Sequence, residues 1–243
     1  MRILLVNPNT TASMTEKAAL AARTVAGAGT EIVAATASTG PVSIEGYYDG
    51  AFAIPGLIAE LKSRQAEGYD AAVIACFDDT GLEAARSFCT VPVLGLCESA
   101  IATAGFLAQR FTVVTTLERS RILLENLVRR YGMGARAKVR ASDIPVLELD
   151  DPAGGALPRL KAEIEKALDQ DGAEAIVLGC AGMTDLARAL QTEYGVPVID
   201  GVVAAVKQAE ALVSMGLTTS KRGSYAAPLP KVYKGALANF APT

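Results

Sequence analysis

The sequence contains no histidine. Histidine is the usual base in Ser-His-Asp and Cys-His catalysis and the commonest metal ligand, so its absence excludes those arrangements as they are usually built. Four cysteines are present, Cys76, Cys89, Cys97 and Cys180, but no two of them form a CxxC pair. Zinc held by thiolates alone needs closely spaced pairs. We therefore predict that the protein holds no metal.

Long apolar runs and an excess of basic charge are also missing. No apolar run approaches the ~18 residues of a membrane span. The net charge is −3 and only 5% of the residues are aromatic, which argues against a nucleic-acid partner. The N-terminal segment MRILLVNPNT has one basic residue and a short apolar run, which is typical of a first strand rather than a signal peptide. We predict a cytoplasmic protein with free thiols that binds neither nucleic acid nor membranes.

Strand-like and helix-like segments alternate along the 243 residues, a length that fits one large α/β domain or two smaller ones. The segment DAAVIAC is apolar throughout, as is typical of a strand covered on both faces. Strands alternating with helices indicate parallel sheets. The predicted strands are 2–7, 30–37, 70–76, 91–97, 111–116, one within 139–149, 173–180 and 196–200. The predicted helices are 13–26, 51–67, 82–89, 98–110, 119–132, 157–172, 184–195 and 201–216.

The two halves of the chain repeat each other. YDAAVIAC and VPVLGL in the first half parallel AEAIVLGC and VPVID in the second, and RILLVN parallels FTVVTT. We predict an α/β fold of two similar lobes, 1–105 and 106–215, related by a pseudo-twofold axis. We expect the C-terminal tail, 216–243, to cross back to the first lobe. Ligands of open parallel sheets bind beyond the carboxyl ends of the strands, so the predicted site is the cleft between the lobes.

Cys76 and Cys180 occupy equivalent strand ends in this repeat. Each is expected to lie near a helix N-terminus, which would lower the thiol pKa toward neutrality. Two such groups on opposite sides of one carbon form an acid/base pair. One thiolate takes a proton from one face, the opposing thiol returns a proton to the other face, and the stereocentre inverts. No cofactor is needed if a substrate carbonyl delocalises the carbanion.

Several residues near the predicted strand ends are candidates for binding the substrate. Backbone N–H groups after the two cysteines are placed to stabilise an enolate oxygen; they belong to Phe77, Asp78, Ala181 and Gly182. Neutral side chains at the ends of the first strand of each lobe can bind a polar ring or a carboxylate; they are Asn7, Asn9, Thr115 and Thr116.

Other interpretations of these residues stay open. Cys89 and Cys97 fit the role of small buried residues, and Asp78 and Asp79 fit that of helix caps better than that of acids. The two asparagines are also common turn residues. The segment SIEGYYDG, 43–50, is either a surface loop or a mobile cover over the site.

Seven motifs occur in order along essentially the whole chain: VNPNT, GPVSIEGYYD, IACFDD, VVTT, VLGCAGM, VPVIDG and LTTSKRGSYAAP. Together they resemble hydantoin racemases, which belong to the aspartate/glutamate racemase superfamily with allantoin racemase, arylmalonate decarboxylase and maleate isomerase. The resemblance implies a two-lobed α/β fold, cofactor independence, homo-oligomers and a catalytic pair at Cys76 and Cys180. It further implies that the Asn-Pro-Asn turn, Ser43 and Ile44, and backbone at Phe77 and Gly182 contact the ring.

The resemblance and the residues point to the same substrate class. The stereogenic carbon of a hydantoin lies next to a ring carbonyl, so its proton is acidic, and a neutral ring suits asparagine and threonine. We expect cofactor-independent racemisation of 5-monosubstituted hydantoins. Allantoin, itself a hydantoin with a ureido group, is the near alternative. A decarboxylase or cis-trans isomerase of the same superfamily is more distant, as is a non-enzymatic two-lobed binding module.

Overall fold

The computed structural model describes residues 1–150 and 155–242. They contain two parallel four-stranded sheets with the same strand order, β2-β1-β3-β4 and β6-β5-β7-β8. The strands of the first sheet are β1 Arg2–Asn7, β2 Glu31–Thr36, β3 Ala71–Ile74 and β4 Val93–Gly95. Those of the second are β5 Phe111–Thr115, β6 Ala137–Ala141, β7 Ala175–Leu178 and β8 Val198–Asp200. The identical topology confirms the predicted two-lobed α/β fold.

Each predicted helix is found, with shifted ends. The helices are α1 Ala12–Val25, α2 Tyr47–Ser63, α3 Leu82–Phe88, α4 Leu96–Leu107, α5 Glu118–Arg130, α6 Ala156–Asp171, α7 Ala187–Tyr194 and α8 Gly201–Ser214. Short 3₁₀ turns span Gln65–Glu67, Val146–Asp150, Ala181–Leu186, Gly223–Tyr225 and Gly235–Phe240. The prediction of a strand through Cys97 is wrong at its end, because Leu96 and Cys97 already form the first turn of α4.

The strands are apolar throughout because both of their faces are covered. In β1, Ile3 and Leu5 belong to a core shared by the two lobes, whereas Leu4 and Val6 belong to a second core on the other face. This alternation follows from the period of two of an extended chain. The outer core of the first lobe is closed by α2 and α3, and that of the second lobe by α6 and α7.

The shared core lies between the two sheets and includes side chains of α1, α4, α5 and α8. Helix α4 follows the first sheet but also packs against β7 and β8 of the second. Helix α8 follows the second sheet but packs against β3 and β4 of the first. The two sheets are thereby fixed relative to each other with the carboxyl ends of their strands around one cleft. The boundaries at 105/106 and 215/216 stay a prediction.

The start of the C-terminal tail contacts the first lobe. The Thr219 hydroxyl donates to the Val91 carbonyl at 2.7 Å, and the Lys221 ammonium donates to the Arg86 and Ser87 carbonyls at 2.5 and 3.2 Å. These bonds hold the tail against the end of α3. No helix in the part of the chain that the structure describes is long and apolar enough to cross a membrane.

Candidate active site

The two cysteine-bearing turns are closed by the same backbone hydrogen bond. Cys76 and Cys180 each follow the last residue of a central strand by two positions. The N–H of Asp79 donates to the Cys76 carbonyl at 3.1 Å, and the N–H of Met183 donates to the Cys180 carbonyl at 3.1 Å. The internal repeat in the sequence therefore produces a repeated turn, with one thiol at each tip.

Both sulfurs also receive a backbone hydrogen bond from the residue two positions later. The Gly182 N–H donates to Cys180 Sγ at 3.4 Å, and the Asp78 N–H donates to Cys76 Sγ. Cys76 Sγ has a further contact with the Thr80 hydroxyl at 3.4 Å. Backbone N–H donors favour negative charge on sulfur, so each turn is suited to supporting a thiolate.

Cys76 and Cys180 line the same cavity between the lobes. Both are partly buried, whereas Cys89 and Cys97 are fully buried and lie outside the cavity lining. The space open to the centre of a water molecule is about 30 Å³, enough for a few waters. Pockets that hold small molecules are usually about 300–1,000 Å³. Binding of a ring-sized ligand therefore requires the cleft to open.

Most of the predicted binding residues line this cavity. Asn9, Ile44, Phe77 and Asp78 line it from the first lobe, and Thr115, Thr116 and Ala181 line it from the second.

Asn7, Ser43 and Gly182 are not among the lining residues. The Asn7 amide instead donates to Asn9 Oδ1 at 2.8 Å and to the Thr15 hydroxyl at 3.0 Å. Asn7 thus holds the turn that presents Asn9 to the cavity.

Five lining residues were not predicted: Met14, Ala75, Ser120, Val146 and Gly179. Ser120 is buried in the first turn of α5, directly after the VVTT strand. Its position just beyond the end of a strand is a signal in the sequence by which Ser120 could have been predicted. Val146 begins the 3₁₀ turn Val146–Asp150, and nothing in its local sequence indicated the cavity.

The segment that follows β2 crosses the cleft. Ile44 from the first lobe and Val146 from the second both line the cavity. Glu45 Oε1 accepts a hydrogen bond from the Val146 N–H at 3.0 Å, and the Asn126 amide donates to the Tyr47 hydroxyl at 3.4 Å. These contacts between lobes are few and close over a small cavity, which favours the mobile-cover interpretation of residues 43–50.

The expectation that Cys76 has a lowered pKa is wrong for this closed state. Burial, followed by the negative charge of Asp78, raises the pKa of the Cys76 thiol, although the Thr80 hydroxyl and the Asp78 N–H oppose the rise. Helix α3 begins only at Leu82, with Gly81 as its N-cap, so its positive end does not lie at the sulfur. Enclosure of the thiol outweighs the weak dipole contribution.

The neighbouring carboxyls Asp78 and Asp79 have opposite environments. Asp79 accepts hydrogen bonds from the Cys97 and Glu98 N–H groups at 2.9 and 3.0 Å and from the Tyr131 hydroxyl at 2.8 Å. It therefore caps a helix, but that helix is α4 rather than the adjacent α3. Asp78 Oδ2 is buried without a hydrogen-bond partner. Burial raises the pKa of each carboxyl to about 7.

The cavity lining combines apolar side chains with polar groups but carries no positive side chain. Among the described residues that line it, none is lysine or arginine. Within the same described ranges, no group of three cysteine, aspartate or glutamate side chains is placed to hold a metal ion. The lining instead offers two thiols, one carboxyl, an amide and three hydroxyls, so it suits a ligand recognised by hydrogen bonds.

Comparisons with known proteins agree with this geometry. Residues 3–209 match the model of the Asp/Glu/hydantoin racemase family. The chain is 50% identical over 236 residues to a hydantoin racemase of Rhizobium meliloti, covering 97% of this chain and 98% of that protein. It is 49% identical over 242 residues to a hydantoin racemase of Pseudomonas sp. (strain NS671), covering 99% and 97%. The solved structure of an allantoin racemase from Klebsiella pneumoniae superposes with a TM-score of 0.96 at 44% identity, covering 100% of both chains. The chain therefore belongs to the Asp/Glu/hydantoin racemase family and is a racemase.

Proposed function

We propose that this racemase inverts the ring stereocentre of 5-monosubstituted hydantoins without a cofactor, by proton transfer between Cys76 and Cys180. The observation that carries the proposal is that the two thiols come from equivalent turns of the two lobes and line one cavity. Two lobes related by a repeat approach a bound ring from opposite sides, which inversion by two bases requires.

In each turnover, one thiolate removes the proton from the ring carbon, and the electron pair left on carbon is delocalised into the neighbouring carbonyl. The opposing thiol then gives its proton to the other face. The thiol and the thiolate have exchanged places at the end, so the reverse reaction starts from the product state. In the closed state, the raised pKa of Cys76 keeps the proton on that sulfur, so Cys76 is poised to donate.

Backbone and neutral side chains complete the proposed site. The Asp78 and Gly182 N–H groups point at the sulfurs, so they support the thiolates. We assign stabilisation of the enolate oxygen to the backbone at Phe77 and Ala181, which follow the cysteines and line the cavity. Asn9 and the hydroxyls of Thr115, Thr116 and Ser120 are left to bind the polar edge of the ring.

The substrate class is supported by the uncharged donors of the lining and by the relatives named hydantoin racemases at 49–50% identity. Allantoin is the second candidate, favoured by the allantoin racemase structure at 44% identity. Both compounds carry the same ring, so the groups around the 5-substituent decide between them. The two thiols argue against a decarboxylase. Assembly into a homo-oligomer and a cytoplasmic location stay predictions.

The test follows the optical rotation of single-enantiomer 5-benzylhydantoin and of allantoin with the wild-type protein and with Cys76→Ala and Cys180→Ala. We expect each variant to lose about 10³-fold or more in kcat/KM, as is typical for loss of a general acid or base. Cys89→Ala is the matched control, because Cys89 is buried against the Tyr69 hydroxyl and lies outside the cavity lining. Full activity in Cys180→Ala contradicts the two-base mechanism. Carbon dioxide release from an arylmalonate would favour the decarboxylase.

A further inference from the structure

Asp78 has a hydrogen-bonding capacity that the protein leaves unused. Among the described residues, two buried side-chain nitrogen or oxygen atoms have no hydrogen-bond partner. They are Oδ2 of Asp78 and the hydroxyl oxygen of Ser99. Ser99 is in α4, outside the cavity lining, whereas Asp78 lines the cavity beside Cys76. A buried polar atom left without a partner usually costs about 1–3 kcal/mol. An unmet acceptor at a ligand cavity indicates that the ligand supplies the donor.

The turn itself does not require a carboxyl at this position. The equivalent residue in the second lobe is Gly182, which makes the same N–H contact to its cysteine without any side chain. The neighbouring carboxyl of Asp79, in contrast, has three hydrogen-bond donors and caps α4. The side chain of Asp78 is therefore free of the structural duties that its sequence neighbour performs.

The charge around Asp78 restricts which ligand groups can approach it. None of the described lining residues is lysine or arginine, so no cation in the cavity lining balances a second negative charge. A carboxylate on the ligand would be repelled by Asp78 and poorly solvated in the closed cleft. A ligand N–H would instead meet the unpartnered oxygen and form a charge-assisted hydrogen bond.

We propose that the side-chain carboxyl of Asp78 accepts a hydrogen bond from a ring N–H of the substrate and so selects cyclic ureides over compounds with a free carboxylate at the stereocentre. The identity of the ring rests on the proposed function. The role of Asp78 can be tested separately from the proposed function. It predicts how binding changes when a ring N–H of the ligand is methylated or when the ligand carries a carboxylate.

The experiment combines ligand and protein changes in the full-length chain. Racemisation kinetics and calorimetric affinities are measured for 5-benzylhydantoin and its N1-methyl and N3-methyl derivatives, with wild type, Asp78→Asn and Asp78→Ala. In the wild type, methylation of the nitrogen that faces Asp78 should weaken kcat/KM and affinity about 10- to 100-fold, the range for a hydrogen bond to a charged group. In Asp78→Ala, that penalty should fall to about threefold or less. The proposal is overturned if methylation of either nitrogen weakens kcat/KM and affinity by the same factor in the wild type and in both variants.

A second part of the experiment uses Asp78→Asn, which keeps the size of the side chain and removes only its charge. The ring-opened N-carbamoyl-phenylalanine carries a carboxylate and is tested as a competitive ligand. At about pH 8.5, where Asp78 is ionised, its affinity should increase about tenfold in Asp78→Asn relative to wild type, because a like charge has been removed. Unchanged affinity contradicts the exclusion of carboxylates.

Thermal unfolding separates a ligand contact from a structural role. Asp78→Asn should keep or raise the unfolding midpoint, since no hydrogen bond to the carboxyl oxygen Oδ2 is lost. A fall as large as that of Asp79→Asn would assign Asp78 to the fold and overturn the proposal. If the wild type binds these rings with the predicted pattern but racemises neither 5-benzylhydantoin nor allantoin, the proposed function fails and the role of Asp78 stands. If it racemises them without any dependence on Asp78, only this inference fails.

Discussion

The two cysteine turns are closed by the same backbone hydrogen bond but have different electrostatic surroundings. In the first lobe Cys76 is followed by Phe77 and two carboxyls, and in the second lobe Cys180 is followed by Ala181 and Gly182. The hydrogen bonds that close the two turns have equal lengths. The repeated fold thus determines where the thiols lie, while the residue two positions later determines the charge on each side of the cavity. A pseudo-symmetric protein can in this way present unequal groups to the two faces of one carbon.

The largest effect is expected from replacing each sulfur by oxygen. Cys76→Ser and Cys180→Ser should each lose about 10²- to 10⁴-fold in racemisation, because serine is too weak a base to replace a thiolate. Each variant should still exchange the ring proton of one enantiomer with solvent deuterium, and the two variants should exchange opposite enantiomers. Proton NMR of each pure enantiomer in deuterium oxide measures this directly.

The same measurement on Cys97→Ser serves as the control, since Cys97 is buried in α4 outside the cavity lining. Exchange of both enantiomers in either of the two cavity variants would mean that a single group serves both faces. The two cysteine turns would then not serve opposite faces of the substrate.

The next effect comes from making the second turn resemble the first. A Cβ at Gly182 would lie 2.8 Å from Leu149 Cδ1 and 3.7 Å from Cys180 Sγ. Gly182→Asp adds both this crowding and a negative charge beside the sulfur, whereas Gly182→Ala adds the crowding alone. We expect kcat/KM to fall about tenfold in the alanine variant and about tenfold further in the aspartate variant, because a like charge disfavours the thiolate. Equal losses in the two variants would show that charge at this position has no influence.

The sequence was sufficient for the repeat and for the positions of Cys76 and Cys180, because both depend on local patterns. Burial on both strand faces makes β3 and β7 apolar throughout, and their ends mark the turns. The sequence was not sufficient for contacts between distant segments. Asp79 caps α4 because β4 lies beside β3, and Glu45 reaches Val146 across 101 positions of sequence. Such contacts depend on how the lobes pack, which no local period encodes.

A smaller effect separates the two adjacent carboxyls by stability. Asp79→Asn should lower the free energy of unfolding by about 1–3 kcal/mol, because an amide cannot accept all three of the hydrogen bonds made to this carboxyl. Asp78→Asn should leave it unchanged or raise it. Urea unfolding of both variants at pH 7 measures the difference.

Acidity provides an internal check on this pair. Burial raises the pKa of Asp78 to about 7, above its unfolded value of about 4. The folded state therefore binds more protons than the unfolded state between these values, and stability falls as pH rises from about 4 to about 7. Asp78→Asn should weaken this decline by removing one of the carboxyls whose pKa burial raises, the others being Asp79 and Asp200. An unchanged slope would mean that Asp78 is already ionised and stabilised throughout that range.

The smallest effect is a shift of the pH–rate profile. One thiol must be protonated and the other ionised, so kcat/KM has a bell-shaped dependence on pH. The apparent pKa values of its two limbs belong to the pair of thiols rather than to either cysteine alone. The negative charge of Asp78 raises the pKa of Cys76, and the Asp78 carboxyl is ionised above pH 7. Removing it in Asp78→Asn should move both limbs to lower pH by about half a unit to one unit, the range for a nearby partly screened charge. Asp169→Asn, an exposed residue of α6 outside the cavity lining, is the control and should leave the profile in place. Movement to higher pH would show that Asp78 stabilises the thiolate, and the electrostatic difference between the turns would then have the opposite sign.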